Sequence, residues 1–115
     1  MAIEKEFKFG DKAEIKAEIL LMESKRVIAA IVTAINGRSD LGADEYAFAA
    51  ANAIDATLGH RSQIEEPSYL VAEAIAMAVG AQATKKGHLG PLFETTMRLK
   101  IRGEMSKLEY GEADK

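Results

Sequence analysis

The sequence predicts a mainly α fold, a compact bundle of three to four helices with a short N-terminal β arm or hairpin. Three observations carry that prediction. Alanine supplies 20 of the 115 residues, against two prolines and no tryptophan, a mixture that favours closely packed helices. Apolar residues recur at helical spacing through the central and C-terminal stretches. Helix-bounding residues (the stops Asn36-Gly37, Gly59 and Gly87 and the first-turn prolines Pro67 and Pro91) fall at the edges of those stretches rather than inside them. The alternative is an α+β fold in which both termini supply strands to a small antiparallel sheet.

The length allows one domain, expected over 1–110 with an extended arm at about 1–10 and a flexible polar tail at 111–115. A hydrophobic share of 48% with 29% charged residues argues against global disorder. The absence of cysteine excludes disulfides, thiolate metal sites and thiol nucleophiles.

Taken in order, the first element is ambiguous. Residues 12–19 repeat every four positions, with Lys12 and Lys16, Ala13 and Ala17, Glu14 and Glu18, and Ile15 and Ile19 as the matched pairs. This satisfies a strand period and nearly a helix period. As a helix the segment has Asp11 as N-cap with Glu14 three residues on. As a strand it pairs with 3–9 across Gly10-Asp11-Lys12, setting Phe7 opposite Ile15 and Lys8 opposite Glu14.

From Leu20 to Ile35 the spacing predicts a helix with Leu21, Ile28, Val32 and Ile35 as its core stripe, widened by Leu20, Val27 and Ile31. This is expected to be the most heavily buried element. Ala43 to Leu58 forms the next helix, with Ala47, Ala51, Ile54 and Leu58 on one face, Phe48 beside them, and Gly59 as its stop. Pro67 opens a third helix, along which Ala72, Ala76, Gly80 and Thr84 set small residues at i, i+4. Its only charge is Glu73, yet its few large apolar residues suit a bundle interior better than a membrane. The last segment reads as a helix through Phe93, Met97, Ile101, Met105 and Leu108, or as a strand in which Met97, Leu99 and Ile101 alternate with cations.

Charge is unevenly distributed beneath the net value of −3. Residues 1–84 carry −5, residues 85–107 carry +4 and residues 108–115 carry −2. Lys85, Lys86, His88, Arg98, Lys100 and Arg102, with Lys107, are therefore the candidate anion- or partner-binding residues. The competing expectation is a solvated face paired with acids from elsewhere, such as Glu4 and Glu6. His60 and His88 lie in loops without a ligand-type partner at i+3 or i+4, so no metal site and no cofactor are expected. Gly87-His88-Leu89-Gly90 lacks a phosphate-loop ending, and no serine has a nucleophile-elbow context. Glu73 is the carboxylate of most interest, expected to face solvent along the polar edge of its helix.

The sequence thus points to a small non-enzymatic interaction protein that binds another macromolecule, self-associates as a homo-oligomer and acts in the cytoplasm. Nucleic-acid binding through 85–107 is the second reading. A small enzyme with an interfacial site at Glu73 or His88 is the third. The acidic N-terminus is unlike a signal peptide, and no membrane association is expected.

Overall fold

Four α-helices and one short 3-10 turn follow one another in the order α1 (Lys8–Ile35), α2 (Ala43–Leu58), the 3-10 turn (Arg61–Gln63), α3 (Glu66–Ala83) and α4 (Pro91–Tyr110). The computed structural model describes residues 8–38, 40–84 and 91–111, with the backbone alone described for 8–17 and 91. No strand occurs among the described residues. The expected arm at 1–10 falls outside them except for 8–10, which are helical.

Both segments that could be read as helix or strand are helices. Residues 12–19 are helical and run without a break into 20–35, so the hairpin reading of 12–19 fails. Extending an existing helix adds one hydrogen bond per ordered residue, whereas a hairpin needs a new turn. Residues 94–103 are also helical: Met97, Ile101 and Met105 are buried on one side of α4, while Leu99 is exposed.

Local signals set the helix ends. Asn36 and Gly37 have positive φ and terminate α1. Glu45 accepts a hydrogen bond from the Gly42 N–H at 3.0 Å, closing the first turn of α2. Gly59, at φ 104°, ends α2 and reverses the chain into the 3-10 turn. Pro67 sits in the first turn of α3. Leu41 bridges to Thr84 in a single parallel pair, which ties the α1–α2 loop to the end of α3.

Helix α2 holds the centre, packing against both α1 and α4 and burying Tyr46, Ala47, Ala50, Ala51, Ala53 and Ile54. The expectation that 20–35 would be the most buried element is therefore corrected, and so is its core stripe. Val27, Ile31 and Ile35 face the core, while Leu21, Ile28 and Val32 are exposed. Phe48 is exposed as well. Alanines on α2 leave no bulk between the helices, so the neighbouring backbones approach closely and meet α1 along its Val27–Ile31–Ile35 edge.

Polar contacts fasten the helices to one another. Arg26 of α1 donates through Nη2 to the Thr57 carbonyl at 2.9 Å, capping the C-terminal end of α2. Ser68 of α3 donates to Glu23 of α1 at 2.6 Å. Leu20 lies level with Leu58 and Ser68, at the end of α2 and the start of α3. The backbone of 8–18, about 16 Å of helix at the usual rise, therefore projects past the ends of both.

Candidate functional site

Glu73 is the least expected feature of the interior. Its helix presents Tyr69, Ala76 and Gly80 to the core, and Glu73 lies on that same side with 1% of its surface exposed. The expectation that it would face solvent is corrected. A buried carboxylate persists only where charge and hydrogen bonds replace its lost hydration. Helix α4 supplies both. Arg102 donates from Nε to Oε2 at 2.6 Å and from Nη2 to Oε1 at 3.1 Å, a bidentate pair. Arg98, one turn earlier, brings its Nε to 3.4 Å from Oε1. The hydrogen bond to Glu73 raises the Arg102 pKa further above its already high ordinary range.

Tyr69 stands one turn before Glu73. Its hydroxyl is buried beside the Glu73 carboxylate and the Arg102 guanidinium, without a well-directed hydrogen bond to either. Burial, reinforced by the charge of Glu73, pushes the phenol up to about 12. The guanidinium of Arg61 covers the other face of the ring, 5.0 Å from its centre. Guanidinium groups engage both carboxylate oxygens, so Glu73 joins α3 to α4.

The residues singled out from sequence thus separate. Arg98 and Arg102 converge on Glu73. Lys100 points elsewhere, to Asp44 at the start of α2, 2.6 Å from Oδ1, and it holds that exposed carboxyl below the usual carboxylate range. Lys107 pairs with Glu104 at 3.4 Å. Lys85, Lys86 and His88 lie outside the described residues, as do Glu4 and Glu6. The acids that meet the described cations of 85–107 are Glu73, Asp44 and Glu104.

A contact missed from sequence joins His60 to Asp55, with Nδ1 2.8 Å from Oδ1. The turn at Gly59 brings them together, so the legible signal was an acid in the last turn of a helix with a histidine just beyond the glycine stop. Among the described residues no group of three His, Cys, Asp or Glu side chains could hold a metal ion. Asn52 donates to the Phe48 carbonyl within its own helix at 2.8 Å.

On the outside of α1, Leu21, Ile28 and Val32 remain 56, 43 and 49% exposed. A separate open groove of about 650 Å³ runs between the end of α1 and the first turns of α2, with Phe48 on its apolar side and Arg38, Asp44 and Glu45 on its rim. Among the described residues no helix is long and apolar enough to cross a membrane.

The fold and its site define a small helical protein with a buried glutamate–arginine cluster between two helices and an uncovered apolar row on a third. No protein-family model, curated protein or solved structure matches the chain.

Proposed function

We propose that this chain is a non-enzymatic interaction protein that self-associates through the outer face of α1. The observation that carries this reading is the exposed row of Leu21, Ile28 and Val32, whose spacings of seven and four residues keep them on one side of a helix. Large apolar side chains aligned in this way make a seam that a second helix covers. Exposed Glu18 and Lys25 flank the row seven residues apart, so two copies of α1 running antiparallel bring opposite charges together at its edge.

The experiment is light scattering coupled to size exclusion across a wide range of protein concentration. The expected result is a mass of at least twice the 12.4 kDa chain, returning to one chain mass when Leu21, Ile28 and Val32 are together replaced by Glu. A single-chain mass at every concentration for the unaltered protein overturns the proposal. So does an assembly that survives the triple replacement.

A further inference from the structure

The outer face of α4 carries a second uncovered row, separate from that on α1. Leu92, Thr96, Leu99, Gly103, Ser106 and Tyr110 follow one another at alternating intervals of four and three residues, which keeps them on one side of the helix. All six are exposed, and Leu92, Leu99 and Tyr110 are the three most exposed of the described large apolar side chains, at 66, 65 and 73%. None of the six is charged, although charged residues make up half of the rest of α4. The buried stripe Met97–Ile101–Met105 occupies the other side, so the exposed row is no part of the core. Gly103 has nothing within 4 Å of its would-be Cβ and makes a notch in the row.

We propose that a second copy of this chain covers the row, the two α4 helices running antiparallel about a two-fold axis level with Ile101. In that register Leu99 of each copy faces Gly103 of the other, and Leu92 faces Tyr110, so large side chains meet the notch and both ends of the row close. A parallel pair would instead crowd leucine on leucine at one level and leave glycine against glycine at the next. Lys100 and Arg102 flank the row near the axis, and their pairing with Asp44 and Glu73 limits repulsion between the copies. Three large side chains per copy are too few to hold two chains alone. Joining through α4 therefore depends on the pairing through α1 proposed above and rests on that reading. Two chains paired through α1 present two α4 rows, and a second pair engages both at once. Two separate two-fold faces on one chain give four chains where they close and a longer assembly where they do not.

The test is light scattering coupled to size exclusion on the intact chain over a range of concentration. The expected mass is at least that of four 12.4 kDa chains, falling to two chains in Leu99→Lys and in Gly103→Leu. Gly103→Leu is the sharper variant. It adds apolar surface and helix propensity, which strengthen unspecific adhesion, yet it fills the notch that Leu99 of the other copy enters. Adding Leu99→Ala to Gly103→Leu exchanges the large and small residues and restores the larger mass. All of these positions are exposed, so each variant keeps the helical circular dichroism of the unaltered chain. A mass of two chains for the unaltered protein at every concentration overturns this proposal and leaves the α1 reading standing. A single-chain mass overturns both. Assembly of Gly103→Leu equal to that of the unaltered protein, or no recovery in the double variant, also overturns the pairing through α4.

Discussion

The ring of Tyr46 lies directly against the backbone of Gly80. A Cβ added at Gly80 would stand 2.7 Å from Cε2 of Tyr46 and 3.1 Å from Cδ2, closer than carbon atoms pack. The Tyr46 hydroxyl reaches past this point and donates to the Ala76 carbonyl, one turn earlier on α3, at 2.7 Å. Tyr46 is wholly buried, so its ring has nowhere to retreat. The small-residue stripe of α3 therefore has a specific purpose: it makes room for a large side chain from α2.

This contact separates two glycine substitutions of identical chemistry. Gly80→Ala gains helix propensity but forces overpacking against Tyr46, with an expected net loss of about 2 kcal/mol. Gly103 lies exposed in α4 with nothing near its would-be Cβ, so Gly103→Ala gains about 0.5–1 kcal/mol. Urea denaturation of the two variants checks both signs. A stable Gly80→Ala protein would refute the close approach of α2 and α3.

The arginines and the lysine of α4 differ in the same way. Arg102→Ala leaves the buried Glu73 with only the longer contact from Arg98, at an expected loss of about 2 kcal/mol. That value is at the modest end because the Arg102 side chain is itself 38% exposed. Lys100→Ala breaks an ion pair to an 85% exposed Asp44 side chain and leaves the unfolding midpoint within experimental scatter. Combining Glu73→Met with Arg102→Leu recovers most of the lost stability, because no uncompensated charge then remains inside. Equal effects of Arg102→Ala and Lys100→Ala in thermal unfolding would contradict this arrangement.

Two of the three tyrosines link stability to alkaline pH. Burial raises the pKa of both Tyr46 and Tyr69, the latter to about 12, from an ordinary value of 10. Below the ordinary value both folded and unfolded chains keep these protons, and the full stability is present. As pH rises from 10 toward 12, the unfolded chain gives up the Tyr69 proton first, so stability falls across that window. The loss is complete once pH passes the folded value. Denaturant midpoints are expected to decline as pH rises from 10 toward 12, with a smaller decline in Tyr69→Phe. An identical pH slope in that variant would exclude the effect.

Most of the helical architecture could be read directly along the chain. Helices α2, α3 and α4 each combine a local apolar period with a nearby Gly or Pro, and such signals act within a few residues. The Met97–Ile101–Met105 stripe of α4 is buried as its spacing requires. The fourfold repeat at 12–19 lacked such a local arbiter. The helix continuing from Leu20 settles it, because propagation is easier than nucleation.

Helix α1 marks the limit of this kind of reading. Apolar residues wrap so far around it that Leu21–Ile28–Val32 and Val27–Ile31–Ile35 are equally good candidates for the core. Their chemistry is the same, and the positions of α2 and α3 choose between them. The fate of Glu73 is similarly invisible in α3 alone, since the guanidiniums that make its burial tolerable arrive from α4, 25 and 29 positions further along the chain. Local periodicity and chain-breaking residues therefore determine where helices form. Which face is buried, and which charge is carried inside, depends on interactions that exist only once distant segments have been brought together.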